Sequence, residues 1–332
     1  MTDTPARNDA PTRVLLVAQF DDALHAHSAL RRRALERLGC QVDTFDPTAK
    51  GGMLARFRGG SVADRLRDTI ARTTPELVLV TGEVLDVGTV DALRRDSYAS
   101  WANLLTGDPD GSGNTTAAGD LAAAYDSLFV PDSALASRLR TLGHARCTYL
   151  PFACDPSVHR PMRSRDQFRA NVVFVGGATP YRETMLAGLV EFGLAVWGPG
   201  WRRTALRDYC RGETLSMEEY VKAYAGATVA VNIQRGGTAA SRDVGCNQRL
   251  FEIAAIGVPQ VAGDRGDLVR HFEPFAEVLV YEDPAGLRKL VKDVIHAPAA
   301  GEQLAAAARH RALTEHTHMH RMRVVLDMAR HS

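Results

Sequence analysis

The stretch Gly245-Cys246-Asn247-Gln248-Arg249-Leu250-Phe251-Glu252-Ile253-Ala254-Ala255-Ile256-Gly257-Val258-Pro259-Gln260-Val261-Ala262 decides how the chain is read. It has the form of a short helix with a charged first turn, a glycine stop and an apolar strand behind it. Asn247 suits the N-cap, because its side-chain oxygen accepts from the unpaired N–H groups of the first turn. Gly257 fits the left-handed position just past the helix end, and Pro259 blocks continuation. Arg249 and Glu252 are three residues apart and project from one side of that turn. A helix N-terminus offers free N–H groups and partial positive charge, which suits phosphate. A nearby arginine adds a bidentate clamp, and a carboxylate one turn on can accept from the paired hydroxyls of a ribose. The stretch thus has the parts to hold a nucleoside diphosphate. The plain alternative is a helix whose Glu252 is solvated or paired with Arg249.

Around this stretch, strand and helix patterns alternate. Arg13 to Ala18 is apolar without alternation, as a buried parallel strand is. A helix over Ala26–Leu38 follows, then the strand Gln41–Phe45, a helix near Ala63–Arg72 and the strand Leu77–Val80. The helices Val87–Arg95 and Ala134–Leu142 and the apolar stretches Ala102–Leu105, Ser127–Val130 and Cys147–Leu150 complete a first set. The segment Pro151-Phe152-Ala153-Cys154-Asp155-Pro156-Ser157-Val158-His159-Arg160-Pro161 breaks the rhythm with three prolines and no periodicity, which marks a connection between domains. A second set then runs from the strand Asn171–Val175 through the helix Tyr181–Val190, the strand Leu194–Trp197, the helix Met217–Ala223 and the strand Thr228–Ile233. It continues past the opening stretch to Val278–Tyr281 and Ala285–Ile295, and ends in one long helix from Glu302 to about Ala329. Alternation of this kind implies parallel sheets covered by helices.

The 332 residues suit two domains, and 45% hydrophobic with 24% charged residues suits ordinary globular cores. The net charge of +1 argues against a chain-wide nucleic-acid or membrane footprint. The cluster Arg31-Arg32-Arg33 sits in a helical pattern and reads as a solvated face. No apolar run approaches about 18 residues and no leader pattern opens the chain, so a soluble, cytoplasmic protein is expected. Five cysteines without a C-x-x-C pair argue against a disulfide framework or a zinc site.

The opening stretch resembles the "(F/L)-E-A-x-A-x-G-x-P" signature near the C-terminal end of GT-B (group 1-like) glycosyltransferases. Its Asn-x-Arg-x-x-Glu form, with Ala-Ala-x-Gly behind it, resembles the spore-maturation (CgeB-like) branch. The Pro151–Pro161 segment resembles the "G-x-D-x-x-x-F-x-P" hinge of GT-B enzymes, with Ala153 in place of the glycine and His159 in place of the aromatic. Glu315 to Met322 resembles the family's "E-H-T-x-x-x-R" helix end. The resemblance covers the second half and the hinge well, and the first half loosely. It implies an α/β, GT-B fold: two Rossmann-like doubly wound parallel-sheet domains facing across a cleft. The expected division is a disordered tail over 1–11, an acceptor-binding domain over 12–152, a linker over 153–165, a nucleotide-sugar-binding domain over 166–312, and a C-terminal helix over 313–332 that packs back on the first domain.

The resemblance also assigns roles. Glu252 binds ribose; Arg249 and Arg182 hold the diphosphate, with Asn247 at the helix start. Gly176, Gly177 and Tyr181 belong to a strand-to-helix turn near the donor, though Gly-Gly after a strand is common by itself. Trp197 walls the cleft or is packing. Asn232 and Arg235 follow an apolar strand on the cleft side, where Arg235 is a third cation or a solvent-facing loop residue. Glu213 to Tyr220 lies where family members close over the base. The glutamate that retaining members carry eight positions before the ribose glutamate falls on Val244, with Asp243 beside it, so the stereochemistry and the sugar stay open. In the first half, Asp22 or His25 is a candidate general base on an acceptor hydroxyl; alternatively Asp22 caps a helix and His25 is a surface residue. Asp108 faces the transferred sugar, or is part of a turn sequence. Gly82-Glu83 is a further acceptor-site candidate. His310, His316, His318 and His320 read as surface or helix-end residues.

The implied function is a metal-independent transfer of a sugar from a nucleotide-sugar donor to an acceptor hydroxyl or amine, with no cofactor, no nucleic-acid partner, no membrane insertion, and a homodimer left open. A nucleotide-sugar epimerase on the same fold and an inactive nucleotide-sugar-binding scaffold are the rivals. No G-x-G-x-x-G follows either first strand, which leaves a nicotinamide dehydrogenase without support.

Overall fold

The structure is a computed structural model that describes residues 12–20, 27–49, 61–107, 115–236 and 244–330. The N-terminal half runs β1 (Arg13–Val17), α1 (His27–Arg37), β2 (Gln41–Phe45), α2 (Val62–Thr73), β3 (Leu77–Thr81), α3 (Val87–Arg95), β4 (Ser100–Leu104), α4 (Thr115–Ala124), β5 (Ser127–Val130), α5 (Ser133–Thr141) and β6 (Cys147–Tyr149). Its strands form one parallel sheet in the order β2-β1-β3-β4-β5-β6. The C-terminal half runs β7 (Ala170–Val175), α6 (Pro180–Ala187), β8 (Leu194–Trp197), β9 (Cys210–Gly212), α7 (Met217–Ala225), β10 (Ala227–Asn232), α8 (Gln248–Ile256), β11 (Gln260–Gly263), β12 (Leu279–Tyr281) and α9 (Pro284–His296), followed by α10 (Pro298–Glu315) and α11 (His318–Ala329). Its parallel sheet has the order β12-β11-β10-β7-β8-β9.

The inner strands are mainly apolar because both faces of each sheet are covered, whereas the edge strands β2 (Gln41–Phe45) and β9 (Cys210–Gly212) are largely polar and part-exposed. Leu15 and Val17 enter one core of the N-terminal half while Val14 and Leu16 enter the other. Val172 and Phe174 divide from Val173 and Val175 in the same way in the C-terminal half. The α4 helix and the short β9 strand carry weak periodicity and were not expected from the sequence. Residues 1–11, for which disorder was expected, lie outside the described residues.

The single long C-terminal helix expected from the sequence is two helices. His316 leaves helical geometry, and Thr317 (φ −93°, ψ 159°) starts α11 with a capping box shared with His320. The broken backbone pairs with the interdomain segment: Cys154 donates to His316 O and His318 donates to Cys154 O, each at 2.9 Å. This turn sends α11 onto the N-terminal sheet, where Met322, Val325 and Leu326 join the core beside Leu16, Leu79 and Phe129. Arg321 fixes the turn by donating to Pro151 O, Phe152 O and Glu315 O. His316 and His318 are therefore buried rather than surface residues, because the break folds them inward between the two halves.

The halves also meet directly. Asp132 caps α5 through Leu135 N–H and accepts from Val244 N–H (2.7 Å) and Gly245 N–H (2.8 Å) across the interface. In return Asp267 accepts from Ser133 N–H (2.9 Å). Tyr149 Oη lies 2.6 Å from His271 Nε2.

Candidate functional site

Both sheets present the carboxyl ends of their strands to an interdomain cleft of about 1380 Å³. In the C-terminal sheet the strand order reverses between β7 and β10, the place where open α/β sheets bind ligands. Two arginines occupy it. Arg249, in the first turn of α8, donates Nη1 to Val175 O (2.8 Å) and Nη2 to Ile233 O (3.4 Å). Arg182, on α6, donates Nε to Ile233 O and Gln234 O (both 3.1 Å) and Nη1 to Gly177 O (2.9 Å). The two guanidinium carbons lie 5.5 and 5.2 Å from the Phe174 ring centroid, within cation–π range. The pair thus splints the diverging ends of β7 and β10 and concentrates positive charge there.

Two glycines make room for this. Gly176 has φ +158°, and a Cβ there would lie 2.5 Å from Arg249 Nη1. Gly198 has φ +132°, and a Cβ there would overlap the Gly176 carbonyl. Glycine is the residue that tolerates such close backbone approach.

The α8 N-terminus is held by side-chain amides. Asn247 Oδ1 accepts from Leu250 N–H (3.2 Å) and from Asn232 Nδ2 (3.0 Å), while Asn247 Nδ2 donates to Asn232 Oδ1 (2.7 Å) and Gln234 Oε1 (2.8 Å). At the other end Gly257 takes the left-handed conformation (φ 82°, ψ 44°). The first turn of α8, through Asn247, Gln248 and Arg249, faces the cleft.

Glu252 lines the cleft one turn on and is only 3% exposed. Tyr220 Oη, on α7, donates to its Oε2 at 2.5 Å. Its Oε1 lies 3.4 Å from His159 Nε2 and 3.7 Å from His27 Nε2. Asp155 N–H donates to His159 Nδ1 (3.0 Å), which leaves the ring proton on Nε2 facing Glu252, although without hydrogen-bond alignment. Burial and the neighbouring Glu252 carboxylate hold the Tyr220 hydroxyl well above its usual pKa, so it stays a donor. Glu252 is therefore hydrogen-bonded from α7 and flanked by imidazoles of the interdomain segment and α1.

The N-terminal wall comes from the ends of β1 and β3 and from α1: Gln19, Thr81 and Glu83 on one side, His27, Ser28 and Arg31 on the other. Arg31 is 5% exposed, whereas Arg32 and Arg33 are exposed. The expectation of one solvated arginine face is corrected: Arg31 shares the buried helical face with Ala34 and Leu35 at i+3 and i+4.

Of the residues singled out from the sequence, Glu252, Arg249, Asn247, Arg182, Gly176, Gly177 and the exposed Arg235 converge on the cleft. Tyr181, Trp197 and Asn232 do not line it. Tyr181 packs against the core between sheet and α9, Trp197 is buried against Phe168 with Arg211 over its ring, and Asn232 is consumed by the Asn247 amide network. Each belongs to a strand end or helix start whose side chain turns inward. Asp108, His25 and Asp22 lie outside the described residues. Sequence reasoning placed Tyr220 in the segment that closes over the base, His27 in a loop of base candidates and Arg31 on a solvated face, and assigned His159 no contact. The i+3, i+4 spacing on α1 carried the signal for Arg31; the meeting of Tyr220, His159 and His27 on one carboxylate needs the tertiary fold.

Two Rossmann-like parallel sheets facing across a cleft define the GT-B fold. Residues 182–327 match a family described as glycosyl transferase-like. In structure the chain is similar to a sucrose-phosphate synthase from Thermosynechococcus elongatus, at 14% identity over 96% of this chain and 98% of that one, TM-score 0.69. It is similar to HepE of Anabaena, solved with UDP-glucose, at 12% identity over 96% and 99%, TM-score 0.67. A putative UDP-N-acetylglucosamine 2-epimerase from Listeria monocytogenes aligns at 12% identity over 90% and 92%, TM-score 0.53. These similarities establish the fold. No curated protein matches the sequence.

Proposed function

We propose that the protein is a glycosyltransferase, of the CgeB-like kind suggested by Asn247-x-Arg249-x-x-Glu252, that moves a sugar from a nucleoside-diphosphate donor to an acceptor hydroxyl or amine. One observation carries this: the first turn of α8, the buried Arg182 guanidinium and the half-buried Arg249 guanidinium meet at the strand-order reversal of the C-terminal sheet, with a buried carboxylate one turn on. In this reading the pyrophosphate takes the free N–H groups of the α8 N-terminus. Arg249 and Arg182 stabilise its charge as it leaves, a role for fixed cations in a water-poor site that needs no metal. A guanidinium has five N–H donors; Arg249 spends Nη1 and Nη2 contacts on strand carbonyls and keeps others for the ligand. Glu252 accepts from the ribose hydroxyls, and the cleft between the halves shields the donor from water.

HepE was solved with UDP and UDP-glucose, so uridine nucleotides lead the test. Calorimetric titration of UDP, GDP, ADP and dTDP is expected to single out one base. The ribose role is read by comparing that nucleotide with its 2′-deoxy form. Wild type should prefer the ribonucleotide, and Glu252→Gln should erase the preference, a loss of about 10-fold or more. Equal deficits for both sugars, or no binding by wild type, would overturn the assignment. The epimerase-like relative favours one rival: donor conversion without acceptor would mark an epimerase instead.

A further inference from the structure

Arg31 is a buried guanidinium on the N-terminal wall of the cleft. Among the described residues no carboxylate, carbonyl or hydroxyl accepts a hydrogen bond from it and none pairs with its charge. Every other buried arginine discussed above is spent on carbonyls: Arg182 on three, Arg321 on three. A charge taken out of water is normally paired, and desolvation lowers the pKa of Arg31 to about 10. Burial, together with Arg31, His27, His159 and Arg321, pushes the proton off His318, whose Nε2 is buried with no hydrogen-bond partner. Ser28 lies one turn before Arg31 on the same face and lines the cleft with it. Ser28 belongs to the first turn of α1, where the helix dipole favours negative charge.

We infer that Arg31 and Ser28, at the start of α1, form an anion subsite for a carboxylate or phosphate carried by the second substrate. The subsite sits on the N-terminal wall of the cleft, and the α8 N-terminus and its two arginines sit on the C-terminal wall. That the anion belongs to the acceptor rests on the glycosyl-transfer reading; that an anion binds at Arg31 does not. The acceptor class is then an acidic hydroxy or amino compound, held by its charged group while its nucleophile faces the donor.

The test titrates inorganic phosphate and, separately, acetate into the full-length protein saturated with UDP, following thermal stability and binding heat. Wild type should bind one of the two anions saturably, and the stronger of the two arms names the class. Arg31→Met should raise that anion's Kd at least 10-fold and leave UDP affinity unchanged. Without anion, Arg31→Met should unfold no earlier than wild type, since it removes an uncompensated buried charge; a merely structural arginine would give a lower Tm. Arg31→Lys should recover part of the affinity. If UDP does not bind, the glycosyl-transfer reading fails, and the same titrations on nucleotide-free protein, with Arg249→Met as the background, still decide the anion site. Undiminished anion binding by Arg31→Met, or absence of anion binding by wild type, overturns the proposal. Competition between phosphate and UDP, with Arg31→Met weakening both alike, overturns the acceptor assignment.

Discussion

Tyr220 donates to Glu252 at 2.5 Å inside the wall of the cleft, joining α7 to α8 through one buried hydrogen bond. Tyr220→Phe removes the donor and leaves the carboxylate with only the histidines nearby. The expected cost is about 1–3 kcal/mol of stability, the range for a lost partner of a buried polar group. Urea unfolding at neutral pH measures it. A variant as stable as wild type would show that water or another group already satisfies Glu252.

The two arginines at the strand-order reversal should separate by experiment. Arg182 is 4% exposed and holds the carbonyls of Gly177, Ile233 and Gln234, so Arg182→Met leaves buried acceptors unpaired and should cost on the order of 3 kcal/mol. Arg249 is less buried and its contact to Ile233 O is long, so Arg249→Met should cost about 1 kcal/mol while depressing turnover strongly. Equal losses of stability, or an active Arg249→Met, would contradict this division.

Asp132 reaches across the halves to the N–H groups just upstream of α8. Asp132→Asn keeps one acceptor oxygen: left on Leu135 N–H, it turns the NH₂ toward two donors, and turned to the loop, it sets the NH₂ against Leu135 N–H. We expect a loss of about 2 kcal/mol, with faster amide exchange at Val244 and Gly245 than at residues of the sheets. Unchanged exchange at those two amides would show that the bridge does not hold the α8 entry loop.

Stability should fall between about pH 6.5 and pH 4 through two buried histidines. Burial lowers His271 to about 3, helped by His316 and Arg321, and burial with Arg321 lowers His316 to about 4. Both folded-state values lie below the unfolded value near 6.5. The unfolded chain therefore binds more protons in this window, and stability rises with pH. The contribution is fully present above pH 6.5 and is lost as pH falls toward the folded values. Comparing urea midpoints of wild type and His316→Gln from pH 7 to 4 checks it, because carboxylates titrate alike in both. The variant should show the shallower decline; parallel curves would remove His316 from the account.

Much of the site's frame was legible in the sequence. The Asn247 cap, the Gly257 stop and the Arg249–Glu252 spacing are local features, fixed by contacts within a turn or two. So were most strands, since an unbroken apolar run marks a sheet buried on both faces. The C-terminal tail was misjudged because helix propensity continues through His316 and Thr317. The break there depends on the Cys154 backbone, more than a hundred residues earlier, offering a better set of partners. Tyr181 and Asn232 were assigned to the cleft because they stand at a helix start and a strand end, and Trp197 was read as cleft wall or packing. Position along a strand does not say which way a side chain turns, and the cores and the amide network took all three.

The sequence by itself determined the alternation that makes two parallel sheets, the connection between them, and the cap, cation and carboxylate of one helix, because these follow from periodicity and near-neighbour chemistry. Only the tertiary structure decided that the Glu252 carboxylate accepts from Tyr220 beside His159 and His27, and that Arg31 turns inward to the cleft. Those contacts join residues from α1, the interdomain segment, α7 and α8, and they exist only once the two halves and the returning C-terminal helix have packed together.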